Sequence, residues 1–266
     1  MRKNIFDNDK IWDWVDSNED NKERFGFTMN LTPNDVQSLI DIGCGHGGFL
    51  KLMSEKRPHV RCVGVDNSDG ALAHITVEKV KASITDIPFK DQEFDCTYAL
   101  EVLEHLNPEE FKKALNEMAR LSKKYIIVSV PYKEDIEWNM VKCPVCFTKF
   151  HYDGHLQIFD EVKMQNLFSQ QGFKCISYNR LGWTEHLKFH KEYVKLFYPE
   201  QVNKAPHYTV CPACNTEINA GKRPAVQTVK IDKSFFNQTK GLIRAAWPKE
   251  KKSYWIIGLF EKNNMV

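Results

Sequence analysis

Two cysteine motifs of the same form have the residue types and the spacing of a metal site. Cys143 and Cys146 stand in "KCPVC", and Cys211 and Cys214 stand in "VCPAC". Two C-P-x-C pairs supply the ligands of a structural zinc site with four cysteines. A thioredoxin-like redox pair and incidental free cysteines are the alternatives, but two redox pairs in one chain would be a coincidence. The sequence therefore predicts a structural zinc ion, with iron as the other metal to test.

A glycine-rich loop could hold a nucleotide-like cofactor. The stretch "DIGCGHGGF" (41–49) follows an apolar run and precedes a helical pattern. Glycines there permit a tight turn and close approach of the backbone to a ligand. Gly43, Gly45 and Gly48 satisfy the G-x-G-x-x-G spacing of dinucleotide sites, and Asp66, after the next apolar run, suits a ribose diol. By itself the loop leaves a dinucleotide and a sulfonium cofactor both open.

Alternating apolar runs and amphipathic stretches define the elements that must position these residues. The predicted strands comprise residues 38–43, 60–66, 80–86, 93–100, 124–132, 174–181 and 254–262. The predicted helices comprise residues 47–56, 69–78, 108–122 and 160–173. Strands and helices that alternate through short connections predict an α/β fold with a doubly wound, mostly parallel sheet.

Three motifs resolve the ambiguity of the glycine loop. Asp41 precedes Gly43 by two residues, which gives D-x-G-x-G-x-G; "TDIPF" (85–89) follows the third strand, and "LEVLEHL" (100–106) follows the fourth. Together they resemble the class I S-adenosylmethionine-dependent methyltransferases, especially the small-molecule enzymes of the ubiquinone-biosynthesis type. The resemblance covers residues 38–181 and 254–262, and it implies a Rossmann-like sheet of seven strands whose last strand is antiparallel.

The resemblance also implies which residues bind the cofactor. It assigns Asp41, Gly43, Cys44 and Gly45 to the methionine moiety, Asp66 and Asn67 to the ribose, Asp86 and Ile87 to the adenine, and Leu100 and Glu101 to the cofactor wall after the fourth strand. A site rich in carboxylates suits the positive sulfonium, whereas a pyrophosphate would prefer cationic groups or bare N–H donors.

Two histidines are candidates for the general base that a hydroxyl acceptor needs. His105 follows the fourth strand, and His155, in "YDGHLQIF", follows the fifth, so both lie at the same edge of the predicted sheet. His151 and Asp153 are weaker candidates. The alternative for His105 is a capping or packing role, and for His155 it is a structural hydrogen bond within the loop.

The cysteine motifs fall in two insertions at that same edge. The first follows the fifth strand and the second follows the sixth, and parallel strands place both connections at their carboxyl ends. We therefore expect a helical segment at 1–37 packed on the outside of the core, a core of 38–181 plus 251–266, and a zinc-clasped lid of 133–157 and 182–250.

The expected reaction is methyl transfer to a small molecule. The position after the fourth strand holds "LEVLEHL" and lacks both the N/D-P-P-Y/F turn of amino-methylating nucleic-acid enzymes and a Pro-Cys nucleophile. By analogy the acceptor is a hydroxyl of a sugar, or of a nucleotide- or phosphate-linked glycan precursor, in bacterial surface-polysaccharide or natural-product synthesis. The alternatives are an RNA or protein methyltransferase with a docking lid and a non-catalytic cofactor-binding scaffold.

The amino-acid composition limits the other functional classes to which the protein could belong. The chain of 266 residues is 42% hydrophobic and 27% charged, with a formal net charge of +2 and a pI of about 8.0. This balance is typical of a soluble globular protein and does not favour nucleic-acid binding. The sequence contains no signal-peptide pattern and no apolar run of membrane-spanning length, so a cytoplasmic location is expected. Its oligomeric state is not predicted.

Overall fold

The computed structural model describes residues 19–197, 208–218 and 246–263. The helices are α1 (Glu19–Leu31), α2 (Gly48–Lys56), α3 (Asp69–Ala73), α4 (Pro108–Leu121), α5 (Glu161–Asn166) and α6 (His190–Phe197), with 3-10 turns at Leu103–His105 and Ser169–Gln171. The strands of the main sheet are β1 (Ser38–Ile42), β2 (Arg61–Asp66), β3 (Glu78–Lys81), β4 (Phe94–Leu100), β5 (Ser122–Pro131), β8 (Phe173–Leu181) and β13 (Trp255–Lys262). The shorter strands are β6 (Met140–Lys142), β7 (Lys149–His151), β9 (Thr184–Leu187), β10 (Thr209–Val210), β11 (Glu217–Ile218) and β12 (Lys249–Lys252).

The seven strands of the main sheet run in the order β3-β2-β1-β4-β5-β13-β8. Neighbours from β3 to β5 pair in parallel, while β13 is antiparallel to both β5 and β8. The chain order reverses between β1 and β4, and in open α/β sheets such a switch point is where ligands bind. The prediction of a mostly parallel sheet with an antiparallel last strand is confirmed.

Both faces of the sheet are covered, which explains why its central strands are apolar along their length. All seven residues of β4 are buried, and so are the last four of β1. One face packs on α4, where the buried residues are Ala114, Leu115, Met118 and Leu121. The other face packs on Phe49, Leu50 and Met53 of α2.

Three predicted elements are shorter in the structure. The helix expected at 160–173 begins at Glu161 and ends at Asn166, and a 3-10 turn at Ser169–Gln171 follows it. The helix expected at 69–78 ends at Ala73, because Ile75, Thr76 and Val77 form a β-branched run that disfavours a helix. The strand expected at 80–86 begins at Glu78 and ends at Lys81, and Asp86 donates its backbone N–H to Ser83 in a turn (3.0 Å).

Helix α1 lies within the segment expected at 1–37 and packs against the core through buried residues. Arg24 and Thr28 are buried, and Tyr98 in the centre of the sheet donates its hydroxyl to Thr32 Oγ1 (2.9 Å). Residues 1–18, the parts of the predicted lid at 198–207 and 219–245, and residues 264–266 of the predicted core lie outside the described residues.

Two short ribbons stand apart from the main sheet. The β6–β7 hairpin follows β5 and carries the first cysteine motif, and the β10–β11 ribbon carries the second. A further pair, β9 with β12, joins the segment after β8 to the segment before β13. None of the helices in the described ranges is long and apolar enough to cross a membrane.

Candidate active site and cysteine cluster

A cavity of about 1410 Å³ opens at the carboxyl ends of β1, β2 and β4. Its floor is the glycine loop and the strand ends, and its far wall is formed by the β6–β7 hairpin, residues 151–156 and the β10–β11 ribbon. The predicted residues Asp41, Gly43, Cys44, Gly45, Asp66, Asn67, Leu100 and Glu101 all line this cavity. Asp86 and Ile87 do not line it, and Ser83, Ile84 and Thr85 stand at that part of the wall instead.

The glycine loop is built for close approach of a ligand. Gly43 and Gly45 both have positive φ (72° and 54°), a conformation that L side chains rarely adopt. A Cβ at Gly43 would lie 2.6 Å from Cγ2 of Val102. Asp66 fixes the loop, since its carboxylate accepts the backbone N–H groups of Gly45 and Ser68 at 2.9 Å each.

Asp41 is a buried carboxyl at the end of β1, only 2% exposed. Burial raises its pKa to about 7; the Arg24 guanidinium opposes this shift and the Asp66 carboxylate adds to it. Its Oδ1 atom has no hydrogen-bond partner among the described residues. A polar atom buried in this way is costly unless a ligand satisfies it.

Glu101 has the positive φ of 62° at the point where β4 ends. Its carboxylate accepts the hydroxyl of Ser129 (2.8 Å) and the indole N–H of Trp255 (2.9 Å). Strained backbone held by side-chain bonds is typical of functional sites. Strands β5 and β13 therefore aim the Glu101 carboxylate into the cavity wall.

The structure brings His155 and His105 together, with ring centroids 4.7 Å apart. Nδ1 of His155 lies 2.5 Å from Oε2 of Glu134, and Nε2 of His151 lies 3.2 Å from Oε1 of the same carboxylate. Burial lowers the pKa of His155, but the hydrogen bond and charge of Glu134 outweigh burial and raise it above the ordinary value. Burial opposes ionisation of Glu134, yet its bonds to His151 and His155 hold its pKa well below the usual range.

His105 has the opposite environment. Burial and the neighbouring His155 lower the pKa of His105 to about 3, so its ring is neutral at physiological pH. The opposite directions of the two pKa shifts make His155 the more basic of the two histidines. Nε2 of His105 also lies 3.9 Å from the Oε1 atom of Glu104.

Glu104 is a carboxyl with 0% exposure, and neither of its oxygens has a hydrogen-bond partner among the described residues. Burial and the Glu101 carboxylate raise its pKa well above the usual range. One ligand atom each of Glu104, His105 and His155 lie within 4.8 Å of one another, a spacing that one cation could also bridge.

The four predicted cysteine ligands also meet. Sγ of Cys143 lies 3.6 Å from that of Cys214, Sγ of Cys146 lies 3.5 Å from that of Cys211, and all four sulfur atoms are within 4.8 Å of one another. Tetrahedral zinc with Zn–S bonds of about 2.3 Å requires sulfur atoms about 3.8 Å apart. The donor set and its spacing therefore fit zinc.

The two cysteine ribbons have the same local conformation. The first cysteine donates its N–H to the threonine five residues on (Cys143 to Thr148 and Cys211 to Thr216, both 2.9 Å). The residue after the second cysteine has positive φ in each ribbon, 60° at Phe147 and 59° at Asn215. Two turns of one form, 3.5–3.6 Å apart at their sulfurs, are shaped for a shared ion rather than for separate redox pairs.

Three functional candidates escaped the sequence reasoning. Glu134 stands three residues beyond β5, and an acidic residue at the carboxyl end of that strand was the available signal. Glu104 lies within the "LEVLEHL" motif, where only Leu100, Glu101 and His105 were singled out. Arg24 carries no signal, because its place in the cavity wall depends on how α1 crosses the sheet.

The sheet order and the cavity above the glycine loop define the fold of S-adenosylmethionine-dependent methyltransferases. The methyltransferase domain model matches residues 15–178, and the chain belongs to this family. A solved Thermotoga maritima S-adenosylmethionine-dependent methyltransferase, described as a possible histamine N-methyltransferase, superposes with a TM-score of 0.55 at 15% identity and 98% coverage of both chains. That likeness shows the fold alone.

The curated relatives match only part of this chain and only part of their own length. An uncharacterized protein of Methanocaldococcus jannaschii is 33% identical over 127 residues, 44% of this chain and 53% of its own length. Tocopherol O-methyltransferase of Arabidopsis thaliana is 25% identical over 183 residues, 61% of this chain and 50% of its own. The chain thus spans about half the length of these relatives.

Proposed function

We propose that this protein transfers a methyl group from S-adenosylmethionine to a hydroxyl oxygen of a small-molecule acceptor, with His155 as general base. The observation that supports this most directly is the contact of His155, which lines the cavity, with the carboxylate of Glu134 (2.5 Å). A base oriented by a second group is the arrangement that general-base catalysis requires.

The residues of the cavity divide between the two substrates. When bound, S-adenosylmethionine supplies an electrophilic methyl carbon next to a positive sulfur. Asp41, Glu101 and Glu104 surround its predicted place with carboxyl groups, which favour a cationic ligand in a site of low dielectric. In this proposal Asp66 accepts hydrogen bonds from the ribose hydroxyls, and Ser83 to Thr85 form the wall beside the adenine.

Glu134 and His155 handle the proton. Because Nδ1 of His155 faces the carboxylate of Glu134, its Nε2 is the atom left to accept the hydroxyl proton. The acceptor oxygen then bonds to the methyl carbon as the carbon–sulfur bond breaks, and the bond electrons stay on sulfur. Holding the acceptor in line supplies most of the remaining rate enhancement.

We favour a sugar or a glycan precursor as the acceptor, by analogy with the enzymes that the sequence motifs resemble. Aromatic side chains line the acceptor side of the cavity: Phe150, Tyr152, Trp183, Tyr208, Tyr254 and Trp255. Aromatic faces suit sugar rings as well as flat aromatic molecules. Tocopherol O-methyltransferase, by its name, acts on an aromatic alcohol. The test panel therefore includes hydroxylated aromatics beside nucleotide sugars.

Zinc at the cysteine cluster belongs to the same proposal. Cys143, Cys146, Cys211 and Cys214 would hold a structural ion that ties the β6–β7 hairpin to the β10–β11 ribbon as a lid. Met140, Lys149 and Phe150 of the hairpin and Thr209, Val210 and Pro212 of the ribbon line the cavity. A reducing cytoplasm, where we place the protein, keeps such thiols available.

A binding and turnover experiment tests the proposal. Calorimetry with S-adenosylhomocysteine measures cofactor binding, and methyl release is then measured with sugars, nucleotide sugars, phenols and amines. Binding followed by turnover of hydroxyl acceptors supports the proposal; binding without turnover of any acceptor class favours a scaffold. If chelation abolishes the rate and added Mg²⁺ or Mn²⁺ restores it, a cation bound by Glu104, His105 and His155 takes the place of the general base in the mechanism.

A further inference from the structure

Glu104 is a buried carboxyl in the 3-10 turn after β4, where it lines the cavity. Its side chain is 0% exposed, and neither oxygen has a hydrogen-bond partner among the described residues. Nε2 of His105 lies 3.9 Å from Oε1, which is too far for a hydrogen bond. A carboxyl buried in this way is costly unless a ligand satisfies it, so its place in the cavity wall indicates a ligand group.

The backbone of Glu104 fixes the position of this carboxyl relative to the proposed base. Its carbonyl oxygen accepts the N–H groups of Leu156 (2.6 Å) and Gln157 (3.1 Å), the two residues that follow His155. The side-chain amide of Gln157 also donates to the carbonyl oxygen of Leu106 (3.2 Å). One carboxyl oxygen of Glu104 and one ring nitrogen of His155 lie within 4.8 Å of each other. A ligand group bound by Glu104 must therefore neighbour the hydroxyl that gives its proton to His155.

The charges around Glu104 favour a positive ligand group. Burial and the Glu101 carboxylate raise the pKa of Glu104 well above its usual range, and Arg24 opposes this shift only in part. Among the described residues that line the cavity, only Arg24 and Lys149 are arginine or lysine, and carboxyl side chains outnumber them. A phosphate at this wall would be repelled, and a neutral hydroxyl would leave an ionised Glu104 without a counter-charge. An ammonium group supplies both three donors and the positive charge.

We propose that the acceptor is an amino sugar or another amino alcohol, and that Glu104 binds its ammonium group on the carbon next to the reacting hydroxyl. The inference rests on the proposed function and narrows its acceptor class. The hydroxyl gives its proton to His155 and its oxygen bonds to the methyl carbon, while the carbon–sulfur bond breaks and its electrons stay on sulfur. The nitrogen keeps its protons in the ion pair with Glu104, so it has no lone pair for attack. Glu104 thereby directs methylation to oxygen.

Matched acceptors test the assignment. Glucosamine, N-acetylglucosamine and glucose differ only in the group beside a hydroxyl, and so do 2-aminocyclohexanol, its N-acetyl derivative and cyclohexane-1,2-diol. We expect kcat/KM for the amino member of a set to exceed that of the other two by about tenfold or more. Glu104→Gln should lower kcat/KM for the amino member about 10- to 100-fold, the worth of a charge-assisted hydrogen bond, and for the others less than about threefold. Mass spectrometry should locate the methyl group on oxygen in the wild-type product.

Further variants separate ligand binding from a structural role. Glu110→Gln changes an exposed carboxyl that lines the same cavity and accepts the backbone N–H of Asn107 (3.3 Å), a bond that glutamine can also accept. It should leave the preference for amino acceptors unchanged. Glu104→Asp keeps the charge and should recover part of the preference. The melting temperature of ligand-free Glu104→Gln should not fall, because neither oxygen of Glu104 has a partner to lose.

The outcomes distinguish this assignment from the proposed function. Equal turnover of amino and N-acetyl acceptors, a preference for the neutral hydroxyl compounds, or equal losses for all members of a set in Glu104→Gln would overturn the assignment alone. Turnover of other hydroxyl acceptors without any turnover of the amino members would do the same. Binding of S-adenosylhomocysteine without turnover of any hydroxyl acceptor, or methylation at nitrogen alone, would instead overturn the proposed function.

Discussion

One carboxylate, Glu134, contacts the imidazole of His155 at 2.5 Å and thereby fixes which nitrogen of that ring faces the cavity. The two residues come from different segments, Glu134 from the loop after β5 and His155 from the loop after β7. Their contact makes the electrostatics of the site depend on the fold of the inserted hairpin.

Replacing His155 by Ala should lower kcat/KM for a hydroxyl acceptor by about 10²- to 10⁴-fold, the usual worth of a general base. Affinity for S-adenosylhomocysteine should stay nearly the same, because we assign His155 to the acceptor and not to the cofactor. Steady-state kinetics and calorimetry measure the two effects.

His105→Ala should lower kcat/KM less than His155→Ala does, since the ring of His105 is neutral and a poor base. The exposed His59, at the far edge of the sheet, provides a control as His59→Ala. Equal rates for wild type and His155→Ala would exclude the base role.

The pH dependence of the rate should report the Glu134–His155 contact. His155 must be neutral to accept a proton, so kcat/KM should fall as pH drops through its pKa, which Glu134 raises above the ordinary value of histidine in the wild-type protein. In Glu134→Gln the raising influence of the carboxylate is lost, while burial continues to lower the pKa of His155. Asp153 and Glu101 oppose burial only through their charges. The acidic limb should therefore move to lower pH, together with a lower plateau.

A pH–rate profile for both proteins decides this prediction. Asp135→Asn changes the neighbouring carboxylate, which pairs with Lys191 instead of a histidine, and should leave the limb in place. A limb that stays at the wild-type position in Glu134→Gln would mean that another group titrates.

A substitution in the glycine loop should weaken cofactor binding more than it slows methyl transfer. In Gly43→Ala the added methyl would lie 2.6 Å from Val102, and the positive φ would strain any L residue by about 1 kcal/mol or more. We expect cofactor affinity to fall at least about tenfold. Val102→Ala removes the clash but not the strain, so the double variant should recover only part of the affinity. Full recovery would show that φ at this position is not a constraint.

The sequence predicted most of the fold because buried parallel strands are apolar along their length, as in "IIVSV" of β5 and all of β4. It failed at α3, where β-branched residues ended a helix that the surrounding pattern favoured. The glycine loop, which lines the cavity, and the four cysteines, which cluster, could be singled out in the sequence because each carries a local spacing. Glu134 and Arg24 could not, because their positions depend on contacts with residues far along the chain, which spacing does not encode.

The cysteine clasp should contain one equivalent of zinc, and its removal should loosen the cavity wall. Elemental analysis of protein purified without chelators should give about one zinc per chain. Cys143→Ser together with Cys211→Ser should abolish metal binding, because the variant removes two of the four thiolates, both fully buried, that we propose as ligands. The main sheet does not include β6, β7, β10 or β11, so it should still fold. The expected result is retained cooperative unfolding with faster proteolysis of the hairpin and a raised KM for the acceptor.

Cys175→Ala, in β8 outside the cluster, controls for loss of a thiol. Less than about half an equivalent of zinc or iron in the wild-type protein would contradict the metal site; unchanged KM in the zinc-free variant would contradict the lid.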